Sequence, residues 1–590
     1  MLALRTGLIC VVLLVTGCGQ APEDRAVFRY ALQGAPGSLD PVQADNAYAA
    51  SLVNNLYDTL YRYRYLARPH ELVPSLALTM PQLSEDGLEL TIPIRPGVHF
   101  IDDPAFPDGR GREVLASDVV YSLARHFDTA SRSRGAWLWR DRIVGLDSAS
   151  VVDGALPDGA GLEAVDDYTV RVRLRQPFPQ FAHTLATALS AIVPREAVDH
   201  YGPGFGIHPV GSGPYRLRQF DANRAVLERN AGFDRGPFDL AAEGFRIEGQ
   251  AGLGLEQLEG RAYPFMDRLE IEFINEPMAR WNSLRSSRGV DAAIIRPDLA
   301  SVVPEAAGST VLPPSLAPTF RAWASLESGF AYYGFNMSNP ALGDHPDPLR
   351  EEANRALRCA LRDAFDWDAR NAAFYRGAGQ AFPGVIPPVL DAWDPALSSA
   401  SIEYAPDRAR QRLREAGWTA ENLPALTIGI EAGVEQRQMF EQLRAWWVEI
   451  GYPADRLQAR VLPSFGEYLR AIADGELDVF LLSWTLAYPD AQYALQLFYG
   501  PNAAPGANSF NYRNEDYDRW FEQAARLHAG PERTALYRAM NEQVIDDCVF
   551  IGSMSRIRLQ LWRRDLVMLP DEGPALGLSW RFIDRSSDAP

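Results

Sequence analysis

Apolar and polar residues alternate from Ala26 to Gln33, the two-residue period of a strand with one buried face. A Ser38-Leu39-Asp40-Pro41 turn follows, and the apolar spacing from Tyr48 to Leu60 predicts a helix. Ser84-Glu85-Asp86-Gly87 reads as a hairpin turn, with Leu88 to Arg95 alternating behind it until Pro96-Gly97 breaks the strand. A second helix opens at Leu115-Ala116-Ser117-Asp118: Ser117 is the expected N-cap, and Val119, Val120, Leu123 and Phe127 recur with helical spacing. Another alternating strand runs from Tyr168 to Leu174, entered from the Gly-rich turn at Asp153 to Gly161. The stretch His208 to Leu217, HPVGSGPYRL, is a Gly/Pro-rich turn that delivers a strand over Tyr215 to Phe220. Strands and helices then keep alternating to the end without an internal repeat, which places the chain in the α/β class. Ala241 to Ala262, rich in Gly and Glu, reads as a solvent-exposed insertion.

One apolar run breaks this pattern. Leu8 to Leu14 follows the single basic residue Arg5 and is too short to span a bilayer, so residues 1–17 read as a secretory signal. Val15-Thr16-Gly17 leads directly into Cys18, which resembles the bacterial lipobox. That resemblance implies cleavage before Cys18, acylation of Cys18, and a lipidated tether over 18–25 that holds the chain to a membrane on the periplasmic side. Several acyl chains, at ~0.8 kcal/mol per buried CH2, make such an anchor firm.

Composition narrows the chemistry. The chain has 590 residues, 47% of them hydrophobic, enough for two or three domains with sizeable cores. A net charge of -19 argues against nucleic acid as a partner. There is no lysine, so a P-loop, a Ser-x-x-Lys site and a lysine Schiff base are all excluded. The 8 histidines are scattered without metal-ligand spacing, and no nucleophile, base and orienter assemble. Carboxylate pairs such as Asp102-Asp103 and Asp166-Asp167 lie in turn-like contexts and read as solvated charge. Neither an enzyme, a bound metal nor a cofactor is expected. Of the 4 cysteines, Cys359 and Cys548 remain beyond the leader in apolar settings and read as buried thiols, with a disulfide between them left open.

Taken in order, several motifs resemble the family 5 extracellular solute-binding proteins of ABC importers, the peptide and nickel class. They begin with Leu39-Asp40-Pro41 and Asn55-Leu56-Tyr57, then Ser84, Asp86, Gly87, Thr91, Arg95, Gly97, Val98 and Phe100. Ala116, Asp118, Val119, Tyr121 and Ser122 follow, then Pro209-Val210-Gly211-Ser212-Gly213-Pro214-Tyr215 with Arg229-Asn230. Phe335-Asn336, the Arg358 to Asp366 helix, Ala409 to Trp418, Trp484 to Asp490, Asn508, Tyr512, Asn514 and Asp518 complete the series.

The resemblance implies an α/β, two-lobed clamshell (the periplasmic-binding-protein fold). Its first lobe would span 26–300 with an extra subdomain at about 70–205, its second 301–547, and the tail 548–585 would return to the first. A peptide or peptide-like solute would be captured between the lobes and handed to ABC permease subunits. Position by position, it implies that Trp484, Tyr488 and Asp490 run along the ligand, that Phe465 stacks on ligand side chains, and that Trp137 faces the cleft from the extra subdomain. Asn508 and Tyr512 would shape their loop instead.

Two positions depart from the family pattern. Ala487 stands where peptide-binding members carry an Asp that pairs with the ligand's α-ammonium, and Ala49 where some carry Glu. A buried ammonium without a carboxylate costs several kcal/mol, so either Asp490 substitutes or the solute is N-blocked, glycan-linked or not a peptide. A ligand sensor or envelope chaperone on the same fold is the alternative function.

Overall fold

The strand expected at Ala26–Gln33 forms over Val27–Leu32 in the computed structural model, which describes residues 26–44, 46–147, 149–152, 154–286, 288–295, 310–504, 506–570 and 578–586. The expected signal segment, Cys18 and the tether lie outside the described residues. Among those described, no helix is long and apolar enough to cross a membrane.

A twelve-stranded sheet organises the chain. Its strands lie in the order Leu457–Leu462, Leu426–Glu431, Val479–Trp484, Phe330–Phe335, Phe550–Arg563, Ala292–Ile295, Val27–Leu32, Arg268–Phe273, Arg224–Arg229, Tyr215–Phe220. Phe550–Arg563 is the longest strand and belongs to both halves. Its first part pairs with Phe330–Phe335 and Gly379–Phe382, its last part with Phe320–Leu326 and Ala292–Ile295. Helices cover each half, giving two lobes joined through this strand. The C-terminal segment then packs on the first lobe, where the Trp580 N–H donates to Asn55 Oδ1 (2.9 Å) and Asn55 Nδ2 donates to the Leu578 carbonyl (3.0 Å).

The Gly/Pro-rich turn serves this architecture rather than a ligand. Helix Ala47–Leu56 is capped by Asn46 and stops four residues short of the expected Leu60. There the Gly213 N–H donates to the Leu56 carbonyl (3.2 Å). A Cβ on Gly211 would stand 2.3 Å from that same carbonyl oxygen, and one on Gly213 2.6 Å from the Tyr57 nitrogen, so only glycine lets the two backbones meet. Between them, Ser212 donates to Asp58, which is wholly buried and pairs with Arg235 at 2.5 Å.

The Leu39-Asp40-Pro41 turn is also structural. Asp40 accepts from the Val42 N–H and binds Arg125 through both carboxylate oxygens at 2.7 and 2.9 Å. In the second helix the expected cap moves. Helix Ala116–Ala124 already contains Ser117, Leu115 occupies the capping position, and the Asp118 carboxylate accepts the Leu115 N–H (2.9 Å) while holding Arg112. A longer acidic side chain reaches back where the Ser117 hydroxyl does not.

Ala241 to Ala262 is no detached insertion. Leu255 and Leu258 are fully buried, Gln250 donates to the Leu66 carbonyl (2.7 Å), and Glu243 binds Arg62. Glycines with positive φ fold the segment back onto the first lobe, which its Gly/Glu-rich composition concealed. Cys359 and Cys548 form a disulfide across a sequence separation of 189, with Cα atoms 5.2 Å apart; they are not thiols.

The extra subdomain carries its own antiparallel sheet, Gln82–Leu83, Glu89–Pro93, Thr169–Arg173 and Leu162–Asp166. Its core holds His126, whose ring nitrogens meet the Leu189 carbonyl (2.8 Å) and Ser133 Oγ (2.7 Å). Burial pushes this imidazole down to about 4. The unfolded chain, with a histidine near ~6.5, therefore binds more protons, so stability is lost as pH falls below that value. Urea unfolding at pH 5.0 and 7.5 should show about 2 kcal/mol of this loss disappearing in His126→Gln. An unchanged pH slope would contradict it.

A candidate ligand site between the lobes

The strand Val479–Trp484 ends at the lobe interface, and the short helix Gln492–Leu495 turns back beside it. Trp484 donates its indole N–H to the Tyr493 carbonyl (2.9 Å), and the two rings stack at 5.3 Å. Tyr488 meets the edge of Tyr493 at 4.9 Å and donates its hydroxyl to Gln492 Oε1 (2.7 Å). These three aromatics form one side of the interface, each fixed by a neighbour in its own lobe.

The first lobe supplies the opposing side. Trp137, on the short helix Ala136–Leu138, is 44% exposed and brings its ring within 6.2 Å of Tyr493. Trp139, directly after this helix, is fully buried and donates to Thr184, so the same turn of chain anchors one indole and presents the other. His183 stands between Tyr63 (5.9 Å) and Tyr488 (6.0 Å) in a stacked column that crosses from lobe to lobe. Its Nδ1 is 2.9 Å from the Tyr63 hydroxyl. Desolvation lowers the His183 pKa, opposed by the nearby Asp490 charge, and raises that of Tyr63 well above the usual phenol value. The column is therefore neutral at physiological pH, and its rings can trade contacts with an apolar or amide surface at little electrostatic cost.

Asp490 sits beneath this layer. Arg533 Nη2 donates to Oδ2 at 2.8 Å, while Oδ1 accepts from the Tyr537 hydroxyl (2.9 Å) and the Gln492 N–H (2.9 Å). Gln180 of the first lobe donates to the Tyr537 hydroxyl (3.1 Å), so the network also reaches across the interface. With the charge matched by Arg533, Asp490 is already engaged within its own lobe. Ala487 and Ala49 are both buried and add no charge.

The structure thus gathers Trp137, Trp484, Tyr488 and Asp490 at one interface, with Ala487 in the same loop. It leaves Phe465 outside this cluster: that residue opens the helix Phe465–Ala473, is 52% exposed, and has Tyr468 of its own helix as its ring neighbour at 6.5 Å. Asn508 uses its amide within its loop, donating to the Tyr499 and Tyr512 carbonyls. Sequence reading passed over His183, Tyr493, Gln180, Tyr537 and Arg142. The Arg142 guanidinium lies 3.8 Å from the Phe178 ring centre and within electrostatic range of Tyr488 and Tyr493. Nearness in sequence to Trp137 was the one available signal for Arg142; the others come from separate segments that only the fold unites. A cavity of about 130 Å³ inside the first lobe adjoins this interface through Tyr63 and His70 and extends beneath Arg62, Trp580 and Arg581.

Among the described residues no group of His, Cys, Asp and Glu is arranged to hold a metal. The model for bacterial extracellular solute-binding proteins, family 5 (middle region) matches residues 71–506. The dipeptide-binding protein of Escherichia coli strain K12 is 24% identical over 550 residues, covering 91% of this chain and 89% of its own. The glutathione-binding protein GsiB of the same strain is 23% identical over 592 residues, covering 96% and 97%. Among solved structures, HbpA2 from Haemophilus parasuis superposes with a TM-score of 0.74 at 20% identity, covering 95% of this chain and 100% of that one. DppA from Helicobacter pylori, in complex with peptide STSA, gives 0.67 at 20% identity, covering 95% and 98%. With the matched region spanning most of the chain and the two-lobed fold shared throughout, the chain belongs to the bacterial extracellular solute-binding proteins, family 5.

Proposed function

We propose that this protein is the solute-capturing lipoprotein of an ABC importer, which encloses a peptide or peptide-like solute between its lobes and delivers it to a membrane permease. The observation that carries this reading is the aromatic layer built from both lobes, Trp137 and His183 facing Tyr493 and Tyr488. A ligand shifts open to closed only in proportion to its extra contacts in the closed form, and a layer shared by both lobes supplies such contacts. Relatives that bind dipeptides and glutathione support the solute class. Cys18 would carry the lipid anchor, placing the lobes at the periplasmic face of a membrane.

Ala487, Ala49 and the paired Asp490 favour, within this reading, a solute that does not depend on a free α-ammonium. Titration of the soluble region with defined tripeptides, free and N-acetylated, tests the reading by calorimetry. Binding of either series at micromolar affinity is expected, and failure of both would refute the peptide class. Trp137→Ala and Trp484→Ala should each weaken binding at least tenfold. Trp137 is half exposed, so its replacement should leave the melting temperature within ~2 °C of the parent. Unchanged affinity in both variants would move the site elsewhere.

A further inference from the structure

The interface contains a cation that is not paired among the described residues. Arg142 has no hydrogen bond or ion pair from its guanidinium among the described residues, and the guanidinium lies over the face of Phe178. Its nitrogens are not sealed in the core, because none is among the fully buried polar atoms that lack a partner. The adjacent carboxylate, Asp141, approaches Arg175 instead, at 3.9 Å. By contrast, the buried arginines nearby are matched: Arg533 by Asp490, Arg62 by Glu243, Arg235 by Asp58. Desolvation draws the Arg142 pKa down, and the Asp141 carboxylate acts in the opposite direction. A partly buried guanidinium with five donors and no acceptor is costly, and it is the geometry that best fits a carboxylate through two parallel hydrogen bonds.

We infer that Arg142 is a specificity-determining residue that binds a carboxylate of the captured solute, from the first-lobe side of the aromatic layer. This inference rests on the solute-capture reading above and narrows it to anionic solutes. Phe178 holds the guanidinium plane, and Trp137, five residues earlier in the same segment, brings its ring within 6.2 Å of Tyr493 of the second lobe. A carboxylate seated on Arg142 therefore meets both lobes at once. Its charge is satisfied only where solvent is being excluded, which strengthens the pairing relative to an exposed one.

The test uses one equimolar tripeptide library without acidic side chains, prepared as free acids and as C-terminal amides. Native mass spectrometry then reads what the soluble region retains. The wild-type protein should retain free acids at least tenfold over amides. Arg142→Gln should lower acid retention at least tenfold and leave amide retention unchanged, and Arg142→Lys, which keeps the charge without the planar fork, should recover part of the loss. Equal retention of acids and amides by the wild type overturns the inference while leaving solute capture intact, as does an Arg142→Gln protein that still prefers acids. Retention of neither set refutes the peptide reading itself, and the inference falls with it. The comparison of acids with amides needs no variant, so poor folding of Arg142→Gln would not rescue the idea.

Discussion

Asp490→Ala is expected to cost about 3–5 kcal/mol of second-lobe stability, because it strands a buried cation rather than merely emptying a ligand contact. Asp490 and Arg533 are 6% and 12% exposed and meet at 2.8 Å. Removing the carboxylate leaves the guanidinium without a counter-charge and deprives the Tyr537 hydroxyl and the Gln492 N–H of their acceptor. Replacing the pair together, Asp490→Leu with Arg533→Met, should recover much of the loss, since a buried ion pair and an apolar pair of similar volume are often close in energy. Urea unfolding of the single and double variants measures both effects. An Asp490→Ala protein with parental stability and abolished affinity for free-N-terminus peptides would instead make Asp490 the ammonium partner.

The second large effect belongs to the Cys359–Cys548 bridge. It ties helix Pro348–Asp363 to the residue two places before the shared strand. Closing a loop with a separation of 189 restricts the unfolded chain, an effect worth about 5 kcal/mol in the chain-entropy account. Cys359→Ser combined with Cys548→Ser should lower the melting temperature of the second lobe by roughly 10 °C. Both side chains are buried, so the serine hydroxyls add a desolvation cost in the same direction, and the Cys359→Ala, Cys548→Ala pair separates the two contributions. A shift below ~2 °C for the alanine pair would show that packing alone fixes the contact.

Local elements were legible where a single stretch of chain carries its own signal. The strands at Val27–Leu32 and Tyr215–Phe220 follow from alternation, and the hairpin at Ser84–Gly87 from its turn residues, with Ser84 Oγ held by Asp86 and Gly87 at positive φ. Family motifs extended this to the two-lobed architecture. What stayed illegible was decided by partners far along the chain. The end of helix Ala47–Leu56 is set by Gly213, the burial of the Gly/Glu-rich segment by Leu66 and Arg62, and the state of Cys359 by Cys548. The site divides in the same way. Trp484, Tyr488 and Asp490 lie within one short stretch, the end of a strand and the loop after it, and were read together, but that Asp490 faces Arg533 is invisible in sequence, because 43 residues separate them.

The strand Phe550–Arg563 sets a limit on the order of events during biosynthesis. Each half of the large sheet takes a member from it, pairing with strands that precede it by more than two hundred residues. Neither lobe can finish its sheet while the ribosome is still translating the middle of the message. The nascent chain must therefore remain incomplete and unlocked until nearly all of it has emerged. For any chain that must be threaded through a narrow channel before it folds, such a delay is an advantage, because late closure keeps the chain threadable.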